Sequence, residues 1–84
     1  MRNLKILRNI LENKKISLIQ TDELDLEIKK YNISYSKYYI TISSELFYVN
    51  ISSIKNIIID DDIITIYYDY HKKMKLNFKK NELF

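Results

Sequence analysis

The 84-residue chain contains no cysteine, no glycine and no proline. Without cysteine it forms no disulfides and has no thiolate chemistry. Small secreted domains often depend on disulfides, so this absence favours a cytoplasmic protein. Without glycine and proline, the turns must be made by Asn, Asp, Ser and Lys, which tolerate unusual backbone angles less well than glycine does. The same absence excludes a glycine-rich phosphate loop.

Residues that carry chemistry are also scarce. His71 is the only histidine and follows a tyrosine in an expected loop, so it lacks both a pocket and a partner for general-base work. With no cysteine and one histidine, a His/Cys metal site is excluded. We therefore expect no enzyme activity, no cofactor and no metal. No segment approaches the roughly 18 apolar residues of a membrane span, so we expect no membrane partner.

The composition carries a hint about source. Ile, Lys, Asn and Tyr are abundant, as in proteins encoded by AT-rich genes. This bias is typical of a low-GC bacterium, its phages or a virus. The net charge of +3 is mildly basic and falls short of the strongly basic footprint of a typical DNA-binding domain.

Two kinds of periodicity divide the chain. Leu4, Leu7 and Leu11 recur at helical spacing and predict an amphipathic helix over residues 2–13. Residues 15–79 show the alternation of β-strands, and residues 80–84 are expected to be a frayed tail. A slip of this alternation at residues 29–31 indicates either a bulge, which we favour, or a turn.

The alternation predicts a register for the last hairpin. A three-residue loop at residues 71–73 would pair Tyr70 with Met74, Tyr68 with Leu76 and Ile66 with Phe78. The same register would place Asp69 opposite Lys75 on the other face.

A second hairpin is predicted within residues 37–51. A two-residue loop at Ser44–Glu45 would pair Ile42 with Phe47, Ile40 with Val49 and Tyr38 with Ile51. Ser-Glu is a poor pair for such a turn, which normally uses Asn-Gly.

The segment Ile57–Ile59 is apolar on both faces and enters a turn at residues 60–62. Such a strand is normally covered on both sides, so the helix is expected to lie on the back of the sheet. A tight turn at residues 52–55 would precede it. Lys15–Gln20 or Met74–Phe78 is the expected exposed edge strand, where pairing with a second copy would make a homodimer.

These elements predict an α+β, mainly β fold in a single domain of residues 1–84. An N-terminal amphipathic helix packs on an antiparallel meander of about five to seven short strands, as a curled sheet or a small barrel. The order of elements from Lys15 to Ile54, and the run FYVNISSI at residues 47–54, resemble the Sm/SH3-like small barrels, including the bacterial Sm-like RNA chaperones. The glycine of that family's first hairpin and its Tyr-Lys-His triplet are absent, and the hairpin from Ile63 to Phe78 is additional. The resemblance implies a shape and no functional residue.

Eight tyrosines are the most suggestive feature of the sequence. Alternation places Tyr38, Tyr68 and Tyr70 inward. The candidate partner-binding residues are three tyrosines on the other face and the acidic turn, namely Tyr39, Tyr48, Tyr67, Asp60, Asp61 and Asp62. Exposed aromatic side chains anchor protein interfaces or stack bases. The aspartates have three readings: a charged turn that discourages edge pairing, contact with a basic partner, or a cation site.

Basic residues concentrate near the two ends of the chain. If the helix and the last hairpin are adjacent, they form one patch that contacts a nucleic-acid backbone. The candidate contacts are Lys5, Arg8, Lys72, Lys73, Lys75 and Lys79.

Two hypotheses of function follow. The first is a non-enzymatic protein-binding module, whose concrete version is a phage or mobile-element inhibitor of a host defence protein. The second is a single-stranded nucleic-acid-binding, Sm-like protein that uses surface tyrosines and terminal lysines.

Overall fold

The computed structural model describes residues 2–80 of the chain. Within that range the elements are, in order, α1 (Arg2–Asn13), β1 (Ile16–Thr21), β2 (Asp25–Glu27), β3 (Asn32–Tyr35), β4 (Ile40–Ser43), β5 (Tyr48–Ile51), β6 (Ile54–Asp60), β7 (Ile63–Tyr68) and β8 (Lys72–Phe78). Of the predicted tail, residues 81–84 lie outside the described residues.

The helix has the bounds that the sequence predicts. Leu4, Leu7 and Leu11 are its buried residues and lie on one face, as their spacing requires. The Asn13 side chain donates a hydrogen bond to the Asn9 carbonyl at 2.7 Å and so ends the helix without glycine.

The strands form two antiparallel sheets. The five-stranded sheet has the order β2-β1-β8-β7-β6, and the three-stranded sheet has the order β3-β4-β5. Over residues 2–80 the sheets do not close into a barrel, so the small-barrel alternative is wrong. The described strands number eight instead of five to seven, and they do not form one meander because β1 pairs with β8. The α+β, mainly β fold class is confirmed.

One hydrophobic core joins the helix to both sheets. It contains the helix leucines, Ile40, Ile42 and Ile51 of the three-stranded sheet, and residues from one face of the five-stranded sheet. Ile16 and Ile19 of β1 both reach this face despite their odd spacing, because a bulge lies between Ile16 and Leu18. The other face of the five-stranded sheet carries no layer of described residues.

The slip in alternation at residues 29–31 marks the point where the chain leaves one sheet for the other. β2 ends at Glu27 in the five-stranded sheet and β3 begins at Asn32 in the three-stranded sheet. The favoured bulge is therefore wrong and the turn is correct. The Tyr31 hydroxyl stabilises this connection between the sheets by accepting a hydrogen bond from the Ile16 amide at 2.9 Å.

The predicted register of the last hairpin is wrong by four residues. Ile66 lies opposite Met74, Ile64 opposite Leu76 and Tyr68 opposite Lys72. The loop still has three residues, but it is Asp69–His71, with Asp69 and His71 at φ of 48° and 59°. Asp and His are among the residues that tolerate this left-handed region best. Tyr70 is consequently a loop residue, 84% exposed rather than inward.

The β4–β5 register differs from the prediction by two residues. Ile42 lies opposite Val49 and Ile40 opposite Ile51, around a four-residue loop at 44–47. Without Asn-Gly the chain uses this longer loop, which the Ser44 amide closes by donating to the Phe47 carbonyl at 2.7 Å. Tyr38, predicted inward, is exposed in the β3–β4 turn.

The prediction that Ile57–Ile59 is covered on both sides is wrong, because Ile58 and Ile59 are 46% and 58% exposed and only Ile57 packs against the core. Strand β6 also lies at the edge of its sheet. The predicted edges are also wrong, because β1 lies between β2 and β8, and β8 between β1 and β7. The preceding turn is shorter than predicted, since β6 already begins at Ile54.

Candidate functional site

The predicted partner-binding residues do not form one site. Tyr39 lies in the turn before β4, Tyr48 is the first residue of β5, and Tyr67 lies on the outer face of the five-stranded sheet. Asp60 ends β6, and Asp61 and Asp62 form the turn to β7. All three tyrosines are exposed. The three tyrosines therefore lie on separate parts of the surface.

The surface that bears Tyr48 is the outer face of the three-stranded sheet, which we call the hydroxyl–amide face. Inner positions of β3, β4 and β5 are apolar, whereas the outer positions that alternate with them are all polar and uncharged. Cross-strand register sets these outer residues in two rows, Asn32–Ser43–Tyr48 and Ser34–Thr41–Asn50.

The hydroxyl–amide face is partly ordered by its own side-chain contacts. The Asn50 side-chain amide donates to the Thr41 hydroxyl at 3.1 Å, which fixes neighbours in one row. Tyr48 stands at the end of the other row and is 69% exposed. Tyr39 immediately precedes β4, in a turn where the Ser36 hydroxyl accepts hydrogen bonds from the Tyr38 and Tyr39 amides at 3.1 Å each.

Tyr67 has a different setting. Its cross-strand neighbours are Asn56 and Lys73, and the Lys73 ammonium lies 5.9 Å from the centre of its ring. A cation over the ring suits a tyrosine that is already covered in part by its own chain. This tyrosine is accordingly the least exposed of the three candidates.

The acidic turn is held by its backbone. Asp61 adopts φ of 56° and the Asp62 carbonyl accepts the Phe78 amide at 2.8 Å. The Asp62 carboxylate lies 3.9 Å from the Lys14 ammonium. Across residues 2–80, no three His, Asp or Glu side chains are grouped so as to hold a metal ion.

The predicted basic residues do not form the single patch. Lys73 and Lys75 alternate with the buried residues of β8 and so lie on the outer face of the five-stranded sheet, whereas the helix lies on the core side. Arg8 already has partners within its own chain. Its Nε lies 3.2 Å from the Glu12 Oε1, and its guanidinium carbon lies 4.8 Å from the centre of the Tyr35 ring. Burial, followed by the Glu12 carboxylate, raises the pKa of the Tyr35 phenol above its usual value.

A lysine cluster that sequence reasoning missed lies where three segments meet. Lys14 and Lys15 link α1 to β1, Lys29 and Lys30 link β2 to β3, and all four line an open cleft of about 650 Å³, which we call the lysine cleft. The Lys79 amide donates to the Lys15 carbonyl at 2.8 Å, which brings the start of a third Lys-Lys pair to the same end of the molecule. Within the described part of the chain only Lys14 of the four has an acidic partner. The signal was visible as paired lysines at element boundaries, but their meeting depends on the sheet order.

Comparison with protein-family models, with curated protein sequences and with solved structures gave no significant match. The surfaces described above are therefore interpreted from their own chemistry. In residues 2–80, no helix combines the length and the apolar character needed to cross a bilayer.

Proposed function

We propose that this chain is a non-enzymatic protein-binding module, and that the hydroxyl–amide face is its binding surface. The observation that supports this is the absence of any charged residue in β3, β4 and β5, together with the exposed ring of Tyr48. Protein interfaces are depleted of charge at their centre and enriched in tyrosine.

The residue types on this face match a known binding strategy. Tyrosine supplies large, rigid contact area at low entropic cost, while Ser and Asn supply adaptable hydrogen bonds. The inner side of this sheet is anchored in the core, so its outer face should change little on binding and the partner meets an ordered surface. The concrete form of the proposal is an inhibitor that blocks a host defence protein, and its support is the small size and the composition of the chain.

The proposal is tested by affinity capture from the lysate of a low-GC bacterium, with Tyr48→Ala as the test variant. A partner retained by the wild-type chain should bind Tyr48→Ala more weakly by about 2 kcal/mol or more, the typical cost of losing an aromatic anchor. The matched control is Tyr70→Ala, which removes a tyrosine that is more exposed but lies in the β7–β8 loop. Equal losses from both variants, or no specific partner at all, would contradict the proposal.

The lysine cleft favours a second candidate, the binding of single-stranded nucleic acid through its phosphates. Lys15, Lys29 and Lys30 are exposed and have no ion-pair partner within residues 2–80. When clustered lysines neutralise phosphates, the counterions condensed on the nucleic acid are released. The affinity therefore falls strongly as the salt concentration rises.

This candidate predicts the behaviour of a double variant. Lys29→Ala with Lys30→Ala should reduce the slope of log affinity against log salt for a fluorescent oligothymidine by about 1.4, since each phosphate contact on a single strand contributes about 0.7. Lys72→Ala with Lys73→Ala is the matched control, because it removes another adjacent pair from outside the cleft. A larger change of the salt slope in the control would indicate that the β8 lysines bind the phosphates instead. If the wild-type chain does not bind the oligonucleotide at low salt, this candidate function is wrong.

A further inference from the structure

Strand β6 presents an apolar edge. Among the described strands it pairs with β7 alone, and its seven residues make it the longest strand that lies at an edge. Proteins usually blunt such edges with short strands or charges, because free backbone groups invite pairing with another chain. Here Ile58 and Ile59 are adjacent and half exposed.

The section of this edge that is free to pair has defined ends. At the start of β6 the Asn3 side chain donates to the Ile54 carbonyl at 3.1 Å, and a bulge interrupts the register between Ile54 and Asn56. At the other end the chain turns after Asp60. The free section is therefore Asn56–Asp60, and Ile58 is its centre.

We propose that two copies of this chain pair along β6, antiparallel, across a two-fold axis that places Ile58 opposite the partner's Ile58. An axis perpendicular to the sheet requires one residue to face its own copy. Pairing about this axis joins the two five-stranded sheets edge to edge and keeps both cores on the same side of the joined sheet.

The side chains of the free section are complementary in this register. Ile57 lies opposite the partner's Ile59, so apolar residues meet on the core side. Asn56 lies opposite the partner's Asp60, so an amide donor meets a carboxylate, and the two-fold axis repeats this pair at the other end.

The neighbouring symmetric registers are worse. Centring the pair on Ile57 would place Asn56 opposite the partner's Ile58 and lose the amide–carboxylate pair. Centring it on Ile59 would place Ile58 opposite the partner's Asp60 and bury a carboxylate against an apolar side chain. Only the register centred on Ile58 matches each residue with one of its own kind or with a hydrogen-bonding partner.

Two short strands bury less area than a permanent dimer does, so the dimer should form and dissociate with concentration. The inference does not depend on the hydroxyl–amide face, which belongs to the other sheet.

The absence of cysteine allows a direct test of the register. In an antiparallel pair, directly opposed Cα atoms lie about 4.5–5.5 Å apart, within the range that a disulfide spans. Under mild oxidation, Ile58→Cys should cross-link to its own copy, whereas Ile63→Cys, also exposed but on β7, should stay largely monomeric. Asn56→Cys should not cross-link alone but should do so when combined with Asp60→Cys.

A second measurement avoids cysteine. Light scattering over a concentration series should show dimer formation by the wild-type chain and by Ile63→Lys, and a monomer for Ile58→Lys. A wild-type chain that stays monomeric at the highest concentration overturns the proposal. Equally fast cross-linking of Ile63→Cys and Ile58→Cys would also overturn it, because both disulfides would then arise from random collisions. Binding of the β6 edge by a different protein, without any homodimer, would overturn it as well.

Discussion

Replacing Leu7 by alanine should lower the free energy of unfolding by about 2–5 kcal/mol. Leu7 is fully buried, and the core cluster that contains it also contains residues of both sheets. Truncation removes apolar contacts and leaves a cavity that close-packed neighbours fill only in part. A small domain has a total stability of about 5–15 kcal/mol, so this one change removes a large share of it.

Urea denaturation followed by circular dichroism measures this effect, provided that unfolding is two-state. The control is Lys5→Ala, two positions earlier on the same helix and exposed to solvent. It should change stability by within about 0.5 kcal/mol, because surface substitutions rarely do more. Similar losses from both variants would mean that the helix does not pack through its leucine face.

Within the strands, alternation predicted correctly which side chains face the core, but it predicted the registers incorrectly and placed Tyr38 and Tyr70 inward although both lie in turns. Met74 lies opposite Ile66 instead of Tyr70, and Ile42 opposite Val49 instead of Phe47. Both errors are even numbers of residues, which leave each side chain on its own face. Periodicity defines a face, whereas the turn defines the register, and in a chain without glycine the turn depends on which residues accept a left-handed backbone.

Turn positions could not be read from composition for the same reason. The three described residues with positive φ are Asp61, Asp69 and His71. Many Asp, Asn and Lys residues of this chain were equally plausible at a turn, and the choice is made by packing of the strands on either side. The turn between β6 and β7 was predicted at residues 60–62, because three adjacent aspartates are costly in a buried strand. Asp61 and Asp62 form this turn, while Asp60 is the last residue of β6.

The candidate surfaces show the same division. The exposure of Tyr39, Tyr48 and Tyr67 was predicted from alternation, and all three are exposed, although Tyr39 is exposed because it lies in a turn. The lysine cleft and the β6 edge depend on strand order, which local sequence does not encode. Ile57–Ile59 was predicted to be covered because a strand that is apolar on both faces normally is. The exposure of Ile58 and Ile59 is what makes this edge a candidate for pairing.

Replacing Tyr31 by phenylalanine should cost about 1 kcal/mol, the usual net contribution of one hydrogen bond, because this bond is partly buried. The Tyr31 hydroxyl accepts the amide hydrogen of Ile16, whose side chain is buried, and thereby ties the crossing between the sheets to β1. Phenylalanine keeps the ring and removes only the acceptor.

Tyr38→Phe is the matched control, because its hydroxyl lies in an exposed turn and makes no hydrogen bond within residues 2–80. Urea denaturation measures the difference, and amide hydrogen exchange should be faster at Ile16 in Tyr31→Phe alone. Unchanged protection of that amide would show that the crossing between the sheets is held by apolar packing and not by this hydrogen bond.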